Sequence, residues 1–224
     1  MKNEYVIIVA GGTGSRMNSD VPKQFLKLNS VPVIIKTMRC FLKYDATIQF
    51  IVCVHKDYKS HLEELLVLFD FKNVVQIVIG GETRFDSVKS GLAFLKDENS
   101  VVGIHDAARP FVSVETIKNC FITAQQKGNA VPCISLNESL RKIYGDQNNA
   151  VKREDYKIIQ TPQCFLTSAI KKAFQQDFRQ GFTDDATVFE SIGETINLVE
   201  GNAGNIKITT QYDLQIATFF SKNE

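Results

Sequence analysis

Apolar positions along this chain follow two rhythms that alternate over most of its length. Short continuous apolar runs at 6–10, 48–54, 74–79, 101–104 and 130–134 read as buried strands. Between them the spacing turns helical: Val33, Ile34, Met38, Phe41 and Leu42; Tyr58, Leu62, Leu65, Leu66 and Phe69; Phe85, Val88, Leu92 and Leu95; Ile117, Phe121 and Ala124. Pro32 is placed to open the first of these helices and Ser113 to cap the fourth. A closing helix over about 212–220 begins at Thr210-x-x-Asp213, a capping-box-like spacing. This β-α-β-α order predicts an α/β fold: Rossmann-like, a mostly parallel twisted sheet with helices on both faces. Ligands in that architecture bind beyond the carboxyl ends of the strands.

The rhythm breaks between Ser135 and Gln160. Ser139-Leu-Arg-Lys-Ile-Tyr, a polar segment at 145–149 and Val151-Lys-Arg-Glu-Asp155 read as two extended pieces around a turn, too poor in apolar residues to feed the core. Two readings stand: a solvated surface loop, or a projecting β-arm that docks on another subunit. No linker, repeat or low-complexity stretch divides the rest, so 1–224 is expected to be a single domain with an arm at about 135–160.

Chemistry gathers at the expected strand ends. The first apolar run closes in Gly11, Gly12 and Gly14, with Arg16 and Lys23 just beyond. Glycines let a backbone approach a ligand and aim its N–H groups at phosphate oxygens, and the two cations supply charge. A Walker loop is excluded because the chain has no Gly-Lys pair. A dinucleotide fingerprint is disfavoured: Met17 stands where its third glycine belongs, and no acid ends the second strand at the required distance.

Gly80-Gly81-Glu82 lies between a strand and a helix and reads as a structural turn, or as backbone exposed to a base edge with Ser87 adding a contact. Asp106, in His105-Asp106-Ala107-Ala108-Arg109-Pro110, ends the fourth parallel strand. An acid in a triphosphate site suits a metal or a hydroxyl, so Asp106 is the candidate for both. Arg109 is its salt-bridge partner or a substrate ligand, and the small Ala107 and Ala108 leave room for a ribose. Thr183 reads as an N-cap with Asp184 and Asp185 in the first turn of a helix. Lys207 lies in what alternation reads as a strand, either solvated or aimed at an anion.

Composition narrows the class. A formal charge of +1 argues against nucleic acid as a partner, so any cationic site must be local. No apolar run approaches the roughly 18 residues of a membrane span. Met1-Lys2-Asn3-Glu4 leads straight into the first strand, leaving no room for a signal peptide. Five cysteines without a C-x-x-C pair read as buried reduced thiols, and three scattered histidines form no metal triad; the expected compartment is cytoplasmic.

In order, the Ala-Gly-Gly-x-Gly-x-Arg-Met loop, Pro22-Lys23-Gln24, Gly80-Gly81-Glu82-x-Arg84, His105–Pro110, Thr161-Pro162-Gln163, Thr183-Asp184 and Asn205-Ile206-Lys207-Ile208-Thr209 resemble the 2-C-methyl-D-erythritol 4-phosphate cytidylyltransferases. The resemblance implies transfer of CMP from CTP to the polyol phosphate, with Mg²⁺ as cofactor. It implies that Arg16, Lys23, Lys207 and Arg153 carry catalysis. Ala10, Gly11, Gly12, Gly14, Gly81, Glu82, Ser87, Asp106 and Ala107 would hold the nucleotide. Asp106, Arg109, Ser139, Arg153, Thr161, Thr183 and Lys207 would line the acceptor pocket. It further implies a homodimer through the 135–160 arm. The chain departs from the family's usual threonine at Ser139 and usual glutamate at Asp185. Ribitol-5-phosphate cytidylyltransferases share several of these motifs and supply the alternative acceptor; they tend to carry Val where Ala108 stands.

Overall fold

The computed structural model describes residues 2–12, 21–71 and 74–222. The first strand, β1 (Glu4–Ala10), is followed by a small hairpin, β2 (Lys27–Leu28) and β3 (Val31–Pro32). Then come α1 (Val33–Tyr44), β4 (Gln49–Val54), α2 (Lys59–Leu68), β5 (Val75–Ile79), α3 (Arg84–Phe94), β6 (Val101–Asp106), α4 (Val114–Lys127) and β7 (Asn129–Ser135). The remaining elements are β8 (Leu140–Tyr144), β9 (Gln147–Val151), β10 (Lys157–Ile159), β11 (Gln163–Leu166), α5 (Thr167–Ala173), α6 (Asp185–Glu190), β12 (Leu198–Glu200) and α7 (Gln211–Lys222).

Strands β10-β7-β11-β6-β1-β4-β5 form one sheet in that order, with β12 pairing with β7. The chain runs outward from β1 through β4 to β5, then returns across β1 to β6, all in parallel. That reversal opens a crevice at the carboxyl ends of β1 and β6, where open α/β sheets bind ligands. Strand β11 runs antiparallel to both β6 and β7, so the sheet is mixed but mostly parallel.

Side chains alternate along each strand, and both faces are covered. Val6, Ile8, Phe50, Val52 and Val54 pack toward α1, α2 and α4 through residues such as Phe41, Leu62 and Phe121. Ile7, Ile51, Cys53, Val102 and Ile104 pack the other way, against Phe85, Val88, Ile170 and Phe189. Ser113 caps α4 as expected, its hydroxyl accepting from the Thr116 amide, and Gly128 ends that helix at φ 93°. The five cysteines are free and buried. No helix among the described residues is long and apolar enough to cross a membrane.

The 135–160 segment holds an extended pair, but not where the sequence predicts its second half: β9 takes up the expected polar turn from Gln147 to Val151, and Arg153–Asp155 forms a 3-10 turn instead of a strand. Strands β8 and β9 form a hairpin turning at Gly145 (φ 56°), with every residue from 141 to 150 exposed. Ile143 and Tyr144 are 67% and 51% exposed, so the hairpin lends little to this chain's core.

Candidate active site

The crevice begins with the glycine loop. Gln24, 3% exposed, donates both amide hydrogens inward, to the Ala10 carbonyl at 2.7 Å and the Gly12 carbonyl at 3.0 Å. Lys23, on the same short 3-10 turn (Lys23–Phe25), lines the cleft beside residues 9–12. Gly14 and Arg16 lie outside the described residues.

The opposite wall is the turn from β5 into α3. A Cβ on Gly80 would stand 2.7 Å from the Ser87 hydroxyl, and one on Gly81 would collide with the Asp86 side chain. Both glycines are therefore required by close approach. Thr83 and Asp86 form a reciprocal capping box that opens α3. Ser87 is buried, its hydroxyl donating to the Thr83 carbonyl at 3.0 Å, and it lines the cleft with Gly81 and Glu82.

Asp106 ends β6 on the cleft floor. Its Oδ2 accepts from Lys207 Nζ at 2.9 Å and Arg109 Nε at 3.3 Å, while Oδ1 faces Arg84 Nε at 3.4 Å. Burial alone would raise this carboxyl; Arg84, Lys207 and Arg109 overcome it and hold it far below the ordinary carboxylate range. Arg84 closes a fork on Asp185, donating through its two terminal nitrogens at 2.8 and 2.7 Å. Burial disfavours the guanidinium charge, but Asp185 and Asp106 outweigh it and raise its pKa above the ordinary value. For wholly buried Asp185, desolvation raises the carboxyl against the opposing pull of Arg84.

Two clefts meet at this cluster. One, of about 640 Å³, is lined by residues 9–12, Lys23, residues 81–84, Ser87 and residues 106–108. The other, of about 580 Å³, is lined by Arg109, Gln160, Thr161, Gln163, Thr183 and Asp184. Arg84, Asp106 and Lys207 line both.

Beneath them, buried hydrogen bonds set the loops. The Thr161 hydroxyl accepts from the Asp106 amide at 3.2 Å and contacts His105 Nδ1 at 3.0 Å. His105 Nε2 meets the Arg109 carbonyl at 3.2 Å; a carbonyl only accepts, so Nε2 carries the proton and Nδ1 accepts from Thr161. The Thr161–Pro162 peptide is cis. Gln163 bridges to α6, donating to Asp184 Oδ2 and accepting from the Ala186 amide, both at 2.8 Å.

Burial pushes the pKa of His105 down to about 4, from an ordinary 6.5. The fold therefore holds it neutral while the unfolded chain takes up a proton as pH falls from 6.5 to 4. Stability is lost in that window, by about 3 kcal/mol at its lower end. Urea unfolding at pH 7 and pH 4 is expected to show the loss in the native protein, with the part due to residue 105 missing in His105→Gln. An equal loss in both proteins would contradict this.

Two expectations are corrected. Thr183 is not the cap of α6: it is exposed, and Asp184 fills that position, accepting from the Thr187 amide while Thr187 reaches back. Asp185, in the first turn as expected, belongs to the buried ion pair. Lys207 does not lie in a strand. It follows an irregular segment anchored where the Ile208 amide donates to the Ala108 carbonyl at 2.9 Å, with Ile208 fully buried. That anchor sets Lys207 against Asp106, which settles its choice between solvent and anion. Arg109 is the salt-bridge partner, also donating through Nη1 to the Asn205 carbonyl at 2.8 Å.

Ser139 and Arg153 are not brought to either cleft of this chain. Both are exposed, and Arg153 donates to the Asn137 carbonyl at 2.6 Å and to Glu154 at 3.2 Å. Sequence reasoning named Arg84 only as part of a motif and gave it no role. Its one signal was position, three residues after the paired glycines.

A family model described as 2-C-methyl-D-erythritol 4-phosphate cytidylyltransferase matches residues 5–223. The chain belongs to this family. The enzyme of that name from Phocaeicola vulgatus is 44% identical, over 96% of this chain and 98% of its own length. That from Bacteroides fragilis is 45% identical, over 95% and 96% respectively. A solved 4-diphosphocytidyl-2C-methyl-D-erythritol synthase from Anaerococcus prevotii superposes with a TM-score of 0.85 at 25% identity, covering 99% of this chain and 96% of that one. Membership of the cytidylyltransferase family favours methylerythritol phosphate over ribitol phosphate as acceptor.

Proposed function

We propose that the glycine-loop cleft binds CTP and the Arg109–Thr183 cleft binds 2-C-methyl-D-erythritol 4-phosphate, with transfer across the wall they share. The observation that carries this reading is the Asp106 cluster, since Arg84, Asp106 and Lys207 line both clefts. A phosphate monoester is largely dianionic at neutral pH and needs no general base. One of its oxygens attacks the α-phosphorus of CTP; the bond to the β-phosphate oxygen breaks and pyrophosphate leaves with that electron pair. The product is 4-diphosphocytidyl-2-C-methyl-D-erythritol. Repulsion between the anions is the main obstacle, so cations and alignment do the catalytic work. Lys23, Lys207 and Arg16 are assigned that task. Backbone at residues 10–12 and 81–82, with Ser87, selects cytosine, and Ala107 leaves space for the ribose.

No cluster of three carboxylate, histidine or cysteine side chains exists among the described residues. A magnesium ion in a nucleotide site is held mostly by phosphate oxygens, with one or two carboxylates and several waters. Asp106, the carboxylate that lines both clefts, would supply that contact. When bound, Mg²⁺ would neutralise charge on the triphosphate and its leaving pyrophosphate.

The reading extends to a homodimer. Ile143, Tyr144 and Ile158 stand exposed on the arm, and a second copy covering them would carry Ser139 and Arg153 to its partner's acceptor cleft. Deleting residues 140–151 is expected to convert a dimer of two 25.2 kDa chains into a monomer of the shortened chain, and to raise the acceptor KM well above tenfold. Light scattering reads the first effect and steady-state kinetics the second. A deletion variant that stayed dimeric would remove the arm from the interface.

Pyrophosphate release tests the activity itself, with CTP, Mg²⁺ and either methylerythritol 4-phosphate or ribitol 5-phosphate. Release with the first is expected; release with ribitol phosphate alone would overturn the acceptor assignment.

A further inference from the structure

The Arg84–Asp185 pair does more than join two helices. Arg84 directly follows the 80–83 turn and is the first residue of α3; Asp185 is the first residue of α6, directly after Thr183 and Asp184 on the acceptor wall. The fork spends both terminal nitrogens of the guanidinium on Asp185, leaving its Nε edge to face Asp106 Oδ1. A planar guanidinium held at two points has one orientation, which a lysine could not reproduce. Asp106 in turn holds Lys207 through its other oxygen.

We propose that Arg84, braced by Asp185, is a positioning residue for the transfer: it fixes the Asp106 carboxylate on the wall between the clefts, and through it the Lys207 ammonium that meets the incoming phosphate. The proposal rests on the reading that the two clefts take the two substrates. A buried ion pair that were only a structural clamp would be replaceable by a neutral pair of similar shape. A positioning pair would not, because Asp106 would lose the group that orients it. Residue 185 thereby acts on the acceptor without touching it.

The discriminating variant is the double replacement Arg84→Gln with Asp185→Asn, compared with each single change. Arg84→Gln leaves Asp185 buried without its cation, Asp185→Asn leaves Arg84, among the described residues, only its 3.4 Å contact with Asp106, and each is expected to lower Tm. The double variant is expected to regain most of that loss. Its kcat/KM for methylerythritol 4-phosphate is nonetheless expected to stay down by at least about 30-fold while Tm returns toward the native value. Recovery of kcat/KM together with Tm would overturn the proposal and leave a clamp. Should the double variant not fold, Arg84→Lys keeps the charge beside Asp185 without the fork. Native kcat/KM in that protein would overturn the proposal equally, and a loss of about 30-fold at a near-native Tm would support it. Absence of turnover in the native protein would instead defeat the cleft assignment, so the two failures are distinct.

Discussion

Replacing Lys23 by alanine is expected to lower kcat/KM about 100- to 1000-fold, about 3–4 kcal/mol of transition-state stabilisation, with little change in Tm. The size of the effect follows from rigidity. Lys23 is flanked by Gln24, whose amide is bound to two loop carbonyls, and Phe25 packs edge-on against His61 at 5.0 Å and tilted against Tyr58 at 5.5 Å. A cation carried on such a turn is oriented before substrate arrives, so little reorganisation is needed as charge shifts toward pyrophosphate. Pyrophosphate release under saturating CTP separates a loss in kcat from a loss in binding. A Lys23→Ala protein with native turnover would remove the lysine from the mechanism.

Asp106→Asn is expected to be nearly as severe, and in two observables. Asparagine keeps the shape but turns a triply neutralising anion into a neutral group with its own donors, facing Arg84, Arg109 and Lys207. The stability loss at pH 7 is expected to be about 3 kcal/mol, the low end for a broken buried pair, because Arg84 retains Asp185 and Lys207 is partly solvated. The native Asp106 carboxyl is depressed, so its contribution is complete above the unfolded value of 3.8 and drains away as pH falls below it. The variant should therefore lie below the native protein at neutral pH and converge on it in strong acid. Urea titrations at pH 7 and pH 3 measure that convergence, and a gap constant with pH would refute it. Turnover should fall with Lys207 left unguided.

Local signals were legible in the residues alone. The strand-to-glycine transition at β1, the Ser113 cap of α4 and the polar hairpin around Gly145 each announce themselves within a few positions. What stayed hidden is long-range or marginal. Arg84 and Asp185 are 101 residues apart, and nothing near either marks it as half of a pair. Thr183 and Asp184 are both competent caps, and only the reciprocal bonds with Thr187 decide between them. The alternation at 206–208 comes from Ile208 packing beside Ala108, not from a strand, so the period was real and its usual cause was not. Arg84 closes the Gly80-Gly81-Glu82-x-Arg84 motif, but its role comes from the wall that the two clefts share, which no local signal encodes.

Gln24 has a consequence for which molecules the protein attracts. By tying up the Ala10 and Gly12 carbonyls it withdraws the negative ends of two peptide dipoles from the cleft, which makes the loop more hospitable to phosphate without an added charged side chain. The acidic members Asp106 and Asp185 offset two of the three cations grouped around them. The resulting attraction is short-ranged, felt inside the crevice and hardly beyond it, in a chain whose formal charge is +1. A nucleotide small enough to enter the crevice meets the full field.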